Sequence, residues 1–176
     1  MQNSSRQTRN IIIITASALL FIGALVIALI PGKKIAPVGI PSYAASSGRD
    51  NNSTADQAFD EKPETAWIPA KKQDPRYEWI QINYSAPQLV TGIRMINGYG
   101  SDKAKYRYGA KVRTARILLS DYASYYWTLG EEIPDMQSIH FEKKHEVRWI
   151  KLIIHSIYKG LHDPAEEVGI AEIEVF

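Results

Sequence analysis

The sequence predicts an all-β antiparallel sandwich carried behind a single transmembrane helix. Three observations predict it: an uncharged apolar run at residues 11–30, short β-branched or alternating apolar runs between turn signals later in the chain, and no strong helical periodicity beyond residue 30. With 176 residues there is room for one folded unit of ordinary size.

The first element reads IIIITASALLFIGALVIALI from Ile11 to Ile30. At about 1.5 Å per residue such a run spans a hydrocarbon core of roughly 30 Å. A cleaved signal peptide has a shorter apolar stretch with a small-residue cleavage site close behind it. Here the only such site, Ser42-Tyr43-Ala44, lies well downstream, so the run reads as a signal-anchor. Arg6 and Arg9 before it nearly balance Lys33 and Lys34 after it, and the α-amino group tips the N-terminus inward. Residues 1–10 are therefore expected as a short cytoplasmic tail of a single-pass membrane protein, with the β-domain on the extracytoplasmic side.

Residues 31–54 are rich in Pro, Gly, Ser and Asn, a composition that buries too little apolar surface to fold alone. They are expected as a linker or a docked leader. Residues 55–176 then form the domain, opening with a possible single helical turn near Ala55 to Phe59. Its candidate strands are Glu78 to Tyr84, Leu89 to Ile96, Thr114 to Ser120, Tyr125 to Leu129, Gln137 to Phe141, Val147 to His155 and Gly169 to Val175. In the first, the period of two sets Ile80, Ile82 and Tyr84 against Trp79, Gln81 and Asn83. In Val147 to His155 it sets Arg148, Ile150, Leu152 and Ile154 against Trp149, Lys151, Ile153 and His155, which marks a central strand covered on both faces. Trp67 and Trp79 are expected at packed positions.

Composition excludes several functions. Lys+Arg 21 against Asp+Glu 19 leaves a net charge of +2, too little for a nucleic-acid partner. The chain has no cysteine, so disulfides, thiolate zinc sites and Cys nucleophiles are absent. Its four histidines form no helical ligand pair, and His140 and His145 read as sheet-edge polar residues. There is no G-x-S-x-G elbow, P-loop or G-x-G-x-x-G, and no carboxylate spacing nominates a general-acid pair. An enzyme is not expected.

Four stretches in order carry a family resemblance: ADQAFDEKPETAW at 55–67, EWIQINY at 78–84, VTGIRMINGYG at 90–100 and GIAEIEVF at 169–176. Together they resemble the discoidin, or coagulation-factor C-type, galactose-binding-like domains, a group that includes the family 32 carbohydrate-binding modules. The Ile96 to Tyr99 INGY run, the Tyr-rich basic loop after it and the closing AEIEVF are most similar to the NADase-type glycan-binding domain. The resemblance covers roughly residues 44–176 and implies an eight-stranded jelly-roll sandwich. Two departures stand out. Glu61 occupies the position where the family has Gly, and Ala110-Lys111 stands where related domains carry Asn-Arg.

The resemblance also implies a structural calcium held by Asp60, Thr65 and Glu172, with backbone carbonyls of the 60–65 loop completing its oxygen set. The plainer alternative has Asp60 capping its own turn, Thr65 bonding locally and Glu172 paired with a base.

The longest aromatic and basic connection is YGSDKAKYRYGAK, Tyr99 to Lys111. Rings stack on the apolar faces of sugars, and neighbouring charged groups bond their hydroxyls. Tyr99, Tyr106, Arg107 and Tyr108 are the expected ligand contacts, joined by Tyr158 and His162 from the second long connection at 155–167. The alternative is a solvated basic hairpin whose tyrosines cover the end of the sandwich. Two functions follow. The first is a membrane-anchored, non-catalytic module recognising carbohydrate or a glycan-bearing cell-surface partner. The second is an accessory protein-binding subunit of a membrane complex.

Overall fold

The computed structural model describes residues 33–37, 39–70, 74–99, 109–131, 135–160 and 167–176. The apolar runs become β1 (Ser42–Ala45), β2 (Trp79–Asn97), β3 (Lys111–Leu119), β4 (Ser124–Thr128), β5 (Gln137–Tyr158) and β6 (Ile170–Val175), with a single 3-10 turn at Ala55–Ala58. Every strand pairing is antiparallel, in the order β1-β2-β5-β3-β4 with β6 on β2.

Six continuous strands stand among the described residues where eight were expected. The difference lies in two long strands. The expected Glu78 to Tyr84 and Leu89 to Ile96 run together as the 19-residue β2. Gln137 to Phe141 and Val147 to His155 likewise join as the 22-residue β5. Pro87 lacks an N–H, and the pairing slips between Asn83 and Gln88 on either side of it. A second slip falls between Val90 and Gly92. The strand bends at these points and does not stop.

Bending distributes the two strands over two layers. The first half of β2 pairs with β1 and with the second half of β5, which continues to β3 and β4. The second half of β2 pairs with the first half of β5 and with β6. Ile80, Ile82, Ile117, Ile150 and Leu152 from one layer share a single buried cluster with Ile93, Met95, Phe141, Ile173 and Val175 from the other. The sheet therefore folds over on itself as an antiparallel sandwich. At the second slip the C-terminal Phe176 bonds Gly92 through both backbone groups, at 3.0 and 3.1 Å. A Cβ at position 92 would collide with the Phe176 ring and the Ile139 carbonyl, so only glycine fits there.

The linker expected at 31–54 needs correction. Within it Ser42–Ala45 form β1 on the edge of β2, Ile35 donates its N–H to the Val175 carbonyl at 3.0 Å, and the chain from Lys33 onward is one compact unit. Composition misled because this stretch does not have to fold alone. Tyr43 stacks on Phe59 with ring centroids 4.5 Å apart, so the apolar surface it lacks is supplied by its neighbours.

His145 also departs from expectation. It is buried, with Nδ1 2.5 Å from Asp121 Oδ2 and Nε2 2.6 Å from the Tyr125 hydroxyl. Its position opposite Val90, beside the slip, turns the ring into the sandwich. β5 is central as expected, but its second face is half-open: Trp149, Lys151 and Ile153 are partly exposed and His155 is exposed. No helix among the described residues is long and apolar enough to cross a membrane, and the expected span 11–30 lies outside them.

Candidate binding site at the loop end of the sandwich

The INGY run closes β2, and its Asn97 is fully buried. Its Oδ1 accepts the Val112 N–H at 2.9 Å and its Nδ2 donates to the Val112 carbonyl at 2.8 Å. One side chain thus satisfies both backbone groups of a residue at the start of β3. It ties together the two ends of the connection that contains Tyr99 to Lys111.

The neighbouring strand ends arrive at the same place. Lys111 pairs with Tyr158 at the end of β5, Gly98 bridges to Ile170 at the start of β6, and Ala110 bridges to Val168. The connections expected at 99–111 and 155–167 are shorter at their strand ends, since Lys111 belongs to β3 and residues 155–158 to β5; the stems of 98–110 and 159–169 leave one end of the sandwich side by side.

Tyr99 and Tyr158 stand at the stems. Tyr99 lies against Gly169, where a Cβ would sit 3.4 Å from its ring. Its hydroxyl donates to Glu167 Oε2 at 3.3 Å, and Arg49 Nη1 reaches the same oxygen at 2.5 Å. Burial pushes the Tyr99 hydroxyl up to about 12; the Glu167 charge adds to that shift and Arg49 opposes it. Tyr158 donates to the Leu129 carbonyl at 3.0 Å and lies under the Arg113 guanidinium, 5.7 Å from its ring centroid. Tyr106, Arg107, Tyr108 and His162 lie outside the described residues.

Sequence reasoning missed Arg49 and Glu167. Arg49 sits in the stretch read as linker and also bonds Asp50 at 3.0 Å. The Arg49-Asp50 pair is the one charged spot in a Ser/Gly/Asn-rich run, a signal that something faces it.

The calcium residues are brought near one another. Asp60 Oδ1 accepts the Lys62 N–H at 3.0 Å, and Thr65 Oγ1 lies 2.9 Å from each Asp60 carboxylate oxygen and 2.8 Å from the Lys62 carbonyl. These are the bonds of the capping alternative. Glu61, in the family's Gly position, takes φ +61°, so the left-handed turn is kept with a side chain present. That side chain bonds Lys34 Nζ at 2.7 Å.

Glu172 is different. It is only 2% exposed on β6, and neither carboxylate oxygen has a hydrogen-bond partner of full geometry, although the Glu61 backbone N–H lies close enough to favour its charged form. Burial pushes its carboxyl up to about 7, Lys34 opposes the shift, and the nearby Asp60 charge adds to it. The pairing with Lys or Arg expected under the plainer alternative is not formed. Among the described residues no three His, Asp or Glu side chains gather as a metal cluster. A cation here would rest on two carboxylates, the Thr65 hydroxyl and backbone carbonyls. That all-oxygen set with a buried carboxylate unpaired by any base fits calcium chemistry.

Solved structures of the same shape agree with the sandwich. One is the family 32 carbohydrate-binding module of C. perfringens NanJ in complex with galactose, with TM-score 0.59 and 18% identity over 77% of this chain and 92% of that one. Another is an F5/8 type C domain from Bacteroides fragilis, with TM-score 0.60 and 19% identity over 82% and 97%. A third is chitosan-binding module 2 of a Paenibacillus sp. IK-5 chitosanase/glucanase in complex with chitotriose, with TM-score 0.55 and 18% identity over 77% and 95%. These neighbours are carbohydrate-binding modules or a discoidin-like domain, and some related modules sit beside catalytic domains. No curated protein matches the chain. The family description that matches runs from residue 34 to residue 176, and the chain belongs to the NAD glycohydrolase translocation F5/8 type C domain family.

Proposed function

We propose that this chain is a non-catalytic binding module that recognises carbohydrate, or a glycan-bearing surface partner, through the connections at the loop end of the sandwich. One observation carries the reading: the stems of the two Tyr- and base-containing connections converge, locked by Asn97 on Val112 and by Tyr99 on Glu167. A rigid rim of this kind spares a ligand part of the ordering cost of the loops it meets. Modules of the same fold were solved with galactose and chitotriose bound, which supports sugar as the ligand class. Tyr99, Tyr106, Arg107, Tyr108, Tyr158 and His162 are the proposed contacts.

The 11–30 run would anchor the module in a membrane with the sandwich outside. Tethering many copies on one surface multiplies weak single-site binding to a polyvalent glycan. Asp60, Thr65 and Glu172 would hold a structural calcium, whose charge would keep the Glu172 carboxylate ionised inside the fold. The test is a glycan array probed with the full chain in mild detergent. Binding to a defined sugar set supports the reading. A blank array together with co-purification of a stoichiometric protein partner would replace it by the accessory-subunit reading.

A further inference from the structure

The layer β1-β2-β5-β3-β4 buries one face; the other carries a set of side chains that the loop-end site does not use. Trp79, Gln81 and Asn83 on β2, Trp149, Lys151, Ile153 and His155 on β5, Arg116 and Leu118 on β3, and Ser124, Tyr126 and Thr128 on β4 alternate with core residues and are partly or fully exposed. Register aligns them. Trp79 stands beside Ile153, Ile153 beside Arg116, and Arg116 beside Tyr126, a row crossing three strand spacings, about 14 Å. Trp149 lies four residues along β5 from Ile153, about 13 Å away.

The charges on this face are one-sided. Lys151 Nζ sits over the Trp79 ring, 4.0 Å from its centroid, and Arg116 Nε is buried without a hydrogen-bond partner. None of the described residues on the face is Asp or Glu. Aromatic residues alone would be explained by strand propensity and cross-strand packing. Two cations without a carboxylate, one of them with a desolvated and unsatisfied donor, are not.

We infer that this sheet face is a second binding surface, for a linear polysaccharide bearing carboxylates. Arg116 and Lys151 supply donors for carboxylates, Trp79, Trp149 and Tyr126 supply ring surface for sugar faces, and Gln81, Asn83, Ser124 and Thr128 supply uncharged partners for hydroxyls. A platform of this width suits an extended chain and not a single ring. The inference does not depend on the loop-end site.

The test titrates the full chain in mild detergent with polygalacturonate, alginate and hyaluronate, and with polygalacturonate whose carboxyls are methyl-esterified. At least one polyuronate should bind, with affinity falling as salt rises, and esterification should weaken binding roughly tenfold or more. The R116Q/K151Q double variant should weaken it by a similar factor while melting like the parent, because neither residue belongs to the core. Replacing Tyr106 and Tyr108 by Ala should leave it unchanged. The inference is overturned if no polyuronate binds, if R116Q/K151Q binds as the parent does, or if the Tyr106/Tyr108 variant abolishes binding, which would move the polymer to the loop end. Equal binding of poly-glutamate would also overturn it, since an acidic protein would then be the partner.

Discussion

Asn97 holds Val112 by both of its backbone groups, and this pair of bonds joins the last residue of β2 to the second residue of β3. Everything proposed for the loop end depends on that clamp. Asn97→Ala leaves a buried N–H and a buried carbonyl without partners, which costs about 1–3 kcal/mol for each group left unsatisfied. Asn97→Asp can still accept the N–H but cannot donate to the carbonyl while ionised. Chemical denaturation should show both variants clearly destabilised, with Asn97→Ala the more readily interpreted. Parent-like stability in both would show that the clamp is dispensable.

The domain boundary is open to a direct test. A chain beginning at Lys33 should melt cooperatively, because it retains Ile35 on Val175 and β1 on β2. One beginning at Ser46 loses both strand contacts and the Tyr43–Phe59 stack, and should be markedly less stable. Matching thermal transitions would return residues 33–45 to the status of a linker.

Glu172 makes a pH prediction. Its folded carboxyl titrates near 7, above the usual carboxylate range, so between the two values the folded state holds more protons than the unfolded one. The stability it contributes is full below the unfolded value and is lost as pH rises through about 7. Glu172→Gln removes this dependence. Relative to that variant, the parent in chelator should lose stability from pH 5 to pH 8 by at most about 3 kcal/mol. Millimolar calcium should abolish the decline if the cation binds, since it holds the carboxylate ionised and stabilises only the native state. Identical pH profiles for parent and variant would mean that the carboxyl is not desolvated as described.

Much of the scaffold was legible because sheet faces write a period of two into the chain. Ile80, Ile82 and Tyr84 are buried as the alternation demands, and so are Ile150, Leu152 and Ile154. The same logic placed Trp79 on the opposite face, yet its size suggested a packed position. The structure leaves it half-exposed under Lys151 and buries Trp67, whose Nε1 donates to the Ser47 carbonyl at 2.8 Å. The continuity of the two long strands was not legible, because Pro87 in β2 and the polar run 142–146 in β5, opposite the Val90/Gly92 slip, read as breaks where the strands run on. Of the residues proposed for the loop end, Tyr99 and Tyr158 were named from the sequence, and the structure sets them at its stems. Arg49 and Glu167 were not, since 118 residues separate them and only the fold brings them together.

Binding at the loop end stands or falls on the tyrosines of its longer connection. The full chain and its Tyr106→Ala/Tyr108→Ala variant would be measured against a glycan array in mild detergent, with melting recorded for both. The parent should bind a defined glycan, the variant should bind it roughly a hundredfold more weakly, as for loss of aromatic anchors, and the two should melt together. A variant that binds as the parent does, yet melts well below it, would make these tyrosines part of the fold and not of the site.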